Sequence, residues 1–118
     1  MSGLTTHVLD TALGQPAKGV MIDVFRINDE VREYLRTVHT NADGRVDGGP
    51  ILDGETFRKG LYEIVFHVGP YLRFHGHKLS DPPFLDIVPI RFGVGDPTAH
   101  YHVPLLISPF GYSTYRGS

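Results

Sequence analysis

The chain contains no cysteine among its 118 residues, which excludes disulfide bonds, Cys-ligated zinc sites and a thiol nucleophile. It also lacks any run of lysine or arginine, and a formal net charge of −2 offers no electrostatic footprint for nucleic acid. No apolar stretch approaches the roughly 20 residues that a membrane-spanning helix needs. We therefore expect neither a nucleic-acid nor a membrane partner.

The first ten residues, MSGLTTHVLD, have neither the basic segment nor the apolar segment of a secretory signal. This predicts a cytoplasmic protein. Apolar residues make up 41% and charged residues 20% of the chain, as is ordinary for a globular protein. The length fits a single domain over residues 1–118.

What the chain does have is a series of short segments in which apolar and polar residues alternate. Fourteen glycines and nine prolines separate them, and this composition favours many short strands over long helices. One short helix is expected at 70–76, since proline suits a first helical turn. The sequence predicts an all-β, two-sheet antiparallel β-sandwich, with strand segments at 20–27, 33–40, 61–68, 85–92 and 101–107.

Two of these segments contain a proline, at Pro89 and Pro104. Because proline cannot donate to a strand ladder, each strand is expected to lie at a sheet edge or to carry a bulge there. An exposed edge strand invites further pairing. Pairing between copies of the chain would cover such an edge.

Side chains two residues apart share one face of a strand. The last predicted strand turns Tyr101, Val103, Leu105 and Ile107 to one face, which predicts a core face, and it turns His100, His102, Pro104 and Leu106 to the other. Near the N-terminus, His7 lies on the face opposite Thr6 and Val8. If these faces converge with the C-terminal segment, they form a cleft that contains His7, His102 and Tyr115.

Each of these residues has a simpler interpretation. Single histidines on a sheet, such as His39, His67, His75 and His77, are usually surface residues or hydrogen-bonded ones. The pair His75 and His77 is expected to lie in an exposed loop without a carboxylate partner, which makes it weak evidence for a metal site. Arg45, directly after an Asn-Ala-Asp-Gly turn, would by itself usually be a solvated hairpin arginine.

Three blocks of sequence carry a resemblance to a known family. They are LTTHVLD at 4–10, TNADGR at 40–45 and HYHVPLLISPFGYSTYRGS at 100–118. Together they resemble the 5-hydroxyisourate hydrolases, a purine-catabolic branch of the transthyretin-like proteins, and the terminal Tyr-Arg-Gly-Ser separates this branch from the thyroid-hormone carriers. The resemblance implies a transthyretin-like sandwich of about eight strands with one short helix. It also implies a homotetramer, built as a dimer of dimers with sites in the channel between them, and a peroxisomal location for a eukaryotic member.

Residue by residue, the family's catalytic positions correspond to His7, Arg45 and His102 in this sequence. Its substrate-binding positions correspond to His7, Arg45, Tyr115 and Ser118. His100 and Arg116 are further candidates.

The activity that the resemblance implies is hydrolysis of 5-hydroxyisourate to 2-oxo-4-hydroxy-4-carboxy-5-ureidoimidazoline. Imidazoles with a pKa near 6.5 suit the activation of water, so His7 and His102 share this role. Arg45 stabilises developing negative charge. No cofactor or metal is expected. The alternative is a non-catalytic carrier that binds a small ligand in the same channel.

Overall fold

The computed structural model describes residues 2–118 as two facing sheet layers with one α-helix. The helix, α1, spans Val68–Phe74, and a 3₁₀ turn spans Gly54–Thr56. Within residues 2–118 no helix is long and apolar enough to cross a membrane. The strands are β1 Gly3–Thr5, β2 Val8–Asp10, β3 Gln15–Pro16, β4 Met21–Asn28, β5 Val31–His39, β6 Gly60–His67, β7 Ile87–Val94, β8 His100–His102, β9 Leu105–Ser108 and β10 Gly111–Thr114.

One layer is the antiparallel sheet β5-β4-β6-β7, whose strands are eight or nine residues long. The other layer has the order β10-β9-β2-β3 and continues into the short pair β1-β8. The predicted sandwich is therefore confirmed. Its second layer adds a feature that the antiparallel prediction did not include: β1 pairs with β8, and β2 with β9, in parallel.

The ten strands correspond to eight runs of chain because two runs are each interrupted once. The first run bends at Thr6 and His7, between β1 and β2, and the second breaks at Val103 and Pro104, between β8 and β9. Pairing nevertheless continues across both interruptions, since Val103 N–H donates to Thr5 O (2.9 Å) and Leu105 N–H donates to His7 O (3.0 Å). The two interruptions thus lie side by side, at the point where the N-terminal run carries His7.

The two prolines behave differently. Pro89 lies in β7, an edge strand, as predicted. Pro104 lies neither at an edge nor in a bulge, because the strand ends before it and resumes after it. Its neighbours donate their N–H groups to the first run, so the nitrogen of Pro104 points to the other side, where its missing hydrogen breaks no bond of that pairing.

The core lies between the layers and contains the predicted face of the last long run. Tyr101, Val103, Leu105 and Ile107 are 7%, 6%, 0% and 0% exposed, which confirms that prediction. Thr6 and Val8 are buried on the same side as expected, while His7 is only partly buried. This alternation leaves the histidines of both runs, His7, His100 and His102, on the face away from the core.

The helix begins two residues earlier than predicted and ends at Phe74, so Pro70 lies in its first turn as expected. A buried carboxylate, Asp10, connects this helix to β2. Tyr71 donates its hydroxyl to Asp10 Oδ2 (2.8 Å), and His77 Nε2 lies 2.7 Å from the same oxygen. The backbone N–H groups of Ala12 and Leu13 occupy Oδ1. We refer to Asp10, Tyr71 and His77 as the anchor cluster.

Candidate functional site

A cleft of about 480 Å³ opens beside the parallel pair β1 and β8. Four parts of the chain form its walls: the N-terminal run, the loop after β5, strand β8 and the last residue. The lining residues are Ser2, Thr5, Thr6, Arg45, Val46, Gly49, Pro50, Ile51, His100, His102 and Ser118. The faces of the N-terminal run and of β8 that point away from the core therefore meet at one cleft.

Arg45 reaches this cleft because the turn before it is held by one side chain. Asn41 Oδ1 accepts hydrogen bonds from Asp43 N–H (2.9 Å) and Arg45 N–H (3.1 Å), and Gly44 N–H donates to Asn41 O (2.9 Å). Gly44 has a φ of +75°, and it packs so closely against the N-terminal run that a Cβ would collide with the carbonyl oxygen of Val8. The turn thus places Arg45 beside the N-terminal run, where it lines the cleft.

The same turn orients His7. His7 Nε2–H donates to Asp43 O (2.9 Å), because a carbonyl oxygen can only accept. The neutral ring then carries its lone pair on Nδ1. His7 does not line the cleft itself, but it lies close enough to His102 to affect the pKa of that residue. One backbone turn therefore fixes both the backbone of Arg45 and the imidazole of His7.

His100 and His102 both contact one hydroxyl group. Thr5 Oγ1 lies 2.8 Å from His100 Nε2 and 2.8 Å from His102 Nδ1. The parallel register pairs Thr5 with His102, and the two imidazole rings are 6.2 Å apart between centroids. Among residues 2–118, no side chain or backbone group hydrogen-bonds Nε2 of His102. That nitrogen is the one available to a ligand in the cleft.

The surroundings of His102 favour its neutral form. Burial lowers the pKa of His102 below its ordinary value of 6.5, and the positive charge of Arg45 lowers it further, as do His100 and His7. A histidine whose pKa lies below neutrality is predominantly unprotonated at pH 7 and can accept a proton. The arrangement therefore joins a proton acceptor to a permanent positive charge at one cleft.

The C-terminal residues form part of the same structure and pair with β8. Gly117 N–H donates to His102 O (2.7 Å), and Arg116 donates to His100 O (3.2 Å) while its guanidinium lies 3.9 Å above the ring of Tyr101. A Cβ at position 117 would stand 2.5 Å from His102 Cδ2. The tail therefore covers His102 closely, and only glycine leaves room for the imidazole.

The structure brings Arg45, His100, His102 and Ser118 together at the cleft and places His7 next to them. It does not bring Tyr115 or Arg116 there within one chain. Both line a separate depression between β7 and the tail, and Tyr115 is 58% exposed. A partner copy of the chain would be needed for the phenol of Tyr115 to act in a cleft of this kind.

Sequence reasoning did not single out Thr5, Pro50 or Ile51. Thr5 shares a strand face with His7, so alternation places it on the correct side of the strand. Its contacts with His100 and His102, which are 95 and 97 residues away, could not be foreseen. Pro50 and Ile51 are brought to the wall by loop contacts, including Ile51 N–H to Leu4 O (2.7 Å). Nothing in their own sequence marks them as functional.

His75 and His77 are held by protein groups and not by each other. The expectation of an exposed pair without a carboxylate partner is wrong for His77, whose side chain is 6% exposed and contacts Asp10 in the anchor cluster. His75 Nδ1 lies 3.0 Å from Tyr71 O. Across residues 2–118, no group of three histidine or acidic side chains is placed to hold a metal ion. The histidines of this segment therefore have structural partners.

The sequence matches the model of the HIUase/Transthyretin family over residues 4–117. Among curated proteins, a 5-hydroxyisourate hydrolase 2 from Rhizobium meliloti is 63% identical over 115 residues, which are 98% of this chain and 95% of that protein. A 5-hydroxyisourate hydrolase from Ralstonia nicotianae is 56% identical over the whole of both chains. The Ralstonia protein aligns with every residue of the cleft, whereas the family model leaves out Ser2 and Ser118.

Solved structures agree in fold. An (S)-allantoin synthase superposes with a TM-score of 0.94 at 47% identity, although this chain spans only 44% of that one. The 5-hydroxyisourate hydrolase of Klebsiella pneumoniae gives 0.78 at 34% identity, covering 99% of this chain and 100% of that one. Sea bream transthyretin, solved in complex with thyroxine, gives 0.85 at 27% identity, covering 97% and 93% of the two chains. The chain belongs to the HIUase/Transthyretin family.

Proposed function

We propose that this protein hydrolyses 5-hydroxyisourate to 2-oxo-4-hydroxy-4-carboxy-5-ureidoimidazoline. The observation that carries the proposal is the neutral imidazole of His102, with a free Nε2, beside the guanidinium of Arg45 in one cleft. Relatives up to 63% identical over nearly the whole chain have the name of this activity. A binding protein for an apolar ligand would gain nothing from these groups, since burying them without partners is costly.

The reaction opens a ring at an amide-like C–N bond and therefore needs three contributions. Water must lose a proton, the attacked carbonyl must bear negative charge, and the leaving nitrogen must gain a proton. His102, helped by His7, accepts the proton of water and returns it to the leaving nitrogen. Arg45 stabilises the oxyanion, because its planar fork can make two hydrogen bonds to one oxygen or to two neighbouring ones.

The second candidate function is ligand binding without turnover. Sea bream transthyretin, with the same fold, was solved in complex with thyroxine. The cleft described here is lined by two imidazoles and a guanidinium, which suit a small polar molecule better than a large aromatic one. This favours the hydrolase, and an activity measurement separates the two.

We also propose that the chain forms a homotetramer, a dimer of dimers, and that the site lies within this assembly. Three observations support it. Large apolar side chains of the β9–β10 hairpin are exposed, namely Phe110 at 69% and Tyr112 at 46%. The edges of β10 and β7 have no partner strand within residues 2–118. Finally, Tyr115 faces away from the cleft of its own chain, so another copy would be required to bring a phenol to it.

The deciding measurement follows freshly made 5-hydroxyisourate spectrophotometrically with and without the protein. Wild type should accelerate its loss strongly. Arg45→Ala and Arg45→Lys should both lose about 10- to 100-fold in kcat/KM, since an ammonium cannot reproduce a planar two-point contact. Arg73→Lys, an exposed arginine of α1, is the matched control and should retain full activity.

Two outcomes would count against the proposal. A wild-type protein that binds the substrate but does not accelerate its loss would be a carrier. Full activity of Arg45→Lys would reduce Arg45 to a general positive charge. Sedimentation equilibrium over a dilution series tests the assembly: one species near four subunits is expected, and an active monomer would refute the tetramer.

A further inference from the structure

One hydroxyl group joins two imidazoles in the cleft. Thr5 Oγ1 lies at 2.8 Å from both His100 Nε2 and His102 Nδ1. The parallel pairing of β1 with β8 creates this contact, because it sets Thr5 opposite His102 while His100 lies two residues away on the same strand face. Strand geometry, and not side-chain flexibility, therefore holds the three groups in line.

The number of hydrogens restricts how these contacts can form. A hydroxyl has one proton to donate, so Thr5 can donate to at most one of the two ring nitrogens, and it then accepts an N–H from the other. When Thr5 donates in this way and both rings are neutral, one of the two contacting nitrogens carries hydrogen and the other does not. The tautomers of His100 and His102 are therefore complementary: fixing one fixes the other.

Only one of the two arrangements leaves His102 able to act as a base toward the cleft. In it, His102 Nδ1–H donates to Thr5, Thr5 donates to His100 Nε2, and the lone pair of His102 lies on Nε2. In the other arrangement, Nε2 of His102 carries the hydrogen and cannot accept one. The direction in which the Thr5 hydroxyl donates therefore determines whether Nε2 of His102 is a base or a donor.

We infer that Thr5 is a positioning residue that holds His102 in the tautomer with a free Nε2 and connects it to His100 as a proton relay. The inference rests on the proposed function, since it gives His102 a proton to receive. No catalytic contact of Thr5 with the substrate is needed. His100 is the other end of this relay.

The proton count closes for the relay. Water transfers a proton to His102 Nε2 as its oxygen attacks the carbonyl. His102 Nδ1–H then passes to Thr5 Oγ1 as the hydroxyl proton of Thr5 passes to His100 Nε2. Afterwards His102 is neutral with hydrogen on Nε2, Thr5 is again a hydroxyl, and His100, which already held hydrogen on Nδ1, is an imidazolium. The reverse transfer returns a proton through His102 to the leaving nitrogen.

The charges around the two rings give this transfer a physical reason. Burial, Arg45, His100 and His7 together lower the pKa of His102, so an imidazolium at that position is disfavoured. Arg116 hydrogen-bonds the backbone carbonyl of His100, and its guanidinium lies over the ring of Tyr101. Moving the positive charge to His100 takes it off the ring whose pKa is lowered and onto a ring whose centroid lies 6.2 Å away.

Three variants test the inference through steady-state kinetics. Thr5→Val keeps the shape and removes the hydroxyl; we expect kcat to fall about 10- to 100-fold with KM changed less than about twofold. Thr5→Ser restores a hydroxyl and should recover kcat to within about threefold of wild type. Thr11→Val is the matched control, because it removes a threonine hydroxyl that bonds only the carbonyl of Ile107, and it should match wild type. Equal losses in Thr5→Val and Thr5→Ser, or no loss in either, would overturn the inference.

Nitrogen NMR of the histidine rings tests it without any turnover. In wild-type protein at a pH where both rings are neutral, hydrogen is expected on His102 Nδ1 and not on His100 Nε2. The reverse placement, hydrogen on both nitrogens or hydrogen on neither would each overturn the inference, even if Thr5→Val failed to fold. In Thr5→Val the two tautomers should become independent. If wild type shows this pattern but does not hydrolyse 5-hydroxyisourate, the hydroxyl link stands and the proposed function fails. If wild type hydrolyses it and Thr5→Val is as fast, the relay fails alone.

Discussion

Histidines in two regions of this molecule have opposite partners. In the anchor cluster, His77 contacts the buried carboxylate of Asp10, and in the sheet β5-β4-β6-β7 His67 of β6 contacts Asp23 of β4 at 2.9 Å. In the cleft, His100 and His102 contact a hydroxyl, and His7 contacts a carbonyl. His67 and His77 are thus each held by a carboxylate, whereas the charge of Arg45 lowers the pKa of His102. The same residue type is therefore a fixed link in one region and a free base in the other.

The two regions also differ in the pKa of their acidic and basic groups. Burial acts to raise the pKa of Asp10, but hydrogen bonds from the Leu13 N–H, Tyr71 and His77, together with the charge of His77, outweigh it and hold that pKa below 3.8. In the cleft, burial and Arg45 lower the pKa of His102. Both shifts stabilise the form that each region uses: an ionised Asp10 and a neutral His102.

Replacing His102 or His77 by asparagine should have opposite effects: one should lower the rate and the other the stability. These are the largest effects that we expect. His102→Asn should lower the rate by about 10² to 10⁴, the usual range for losing an acid–base group, while unfolding at the same denaturant concentration as wild type. His77→Asn should keep the rate per folded molecule and lose about 1–3 kcal/mol of stability, because Asp10 loses a buried partner. Turnover and denaturant midpoints measured on both variants decide the matter. Near-wild-type turnover of a folded His102→Asn would make the base assignment wrong.

Removing the tail should affect the cleft and spare the anchor cluster. A chain that ends at Thr114 loses the Gly117 and Arg116 contacts with β8, and its rate should fall roughly 100-fold or more, as displacements of about 1 Å can cause. Its thermal midpoint should fall by only about 5 °C or less, the equivalent of one or two exposed hydrogen bonds. Gly117→Ala keeps the tail but displaces His102, because the added methyl group would press on its ring. The rate of this variant should fall about tenfold. Retained activity in the shortened chain would show that the tail is dispensable.

The smallest effect expected is the dependence of stability on acid, which concerns the anchor cluster. The pKa of Asp10 is lower in the folded chain than the ordinary 3.8, so the folded state binds fewer protons near that pH than the unfolded one. This contribution to stability is complete above about pH 5 and is lost as the pH falls below about 4. Thermal melts between pH 7 and 3 should show a steeper fall for wild type than for Asp10→Asn. Asp29→Asn, in the exposed β4–β5 turn, is the control and should follow wild type.

Alternation in the sequence was enough to predict the faces of the last long run and of the first one. Tyr101, Val103, Leu105 and Ile107 are buried as predicted, because burial on a strand depends on parity. Pro89 marked an edge strand for the same local reason: it lacks an N–H. Pro104 was predicted less well, since the strand simply stops there, and only the direction of the neighbouring N–H groups shows why that is tolerated.

The composition of the cleft could be predicted only in part. The family resemblance of the sequence pointed to His7, Arg45, His102 and Ser118, and these lie at or beside the cleft. The role of Thr5 could not be foreseen, since its two partners are 95 and 97 residues away. Tyr115 faces another depression, which no rule about a single strand could indicate.

By itself, the sequence determined what depends on neighbours along the chain: which side chains share a strand face, where proline forbids a ladder bond and where Asn41 and Gly44 force a turn. The tertiary structure decided what depends on distant partners. It set β1 parallel to β8, and so placed one hydroxyl between two imidazoles; it gave His77 a carboxylate and His102 an arginine. The physical reason is that the charge state of a histidine is set by the groups within a few ångströms of its ring, and in this chain those groups come from segments on average far apart in sequence.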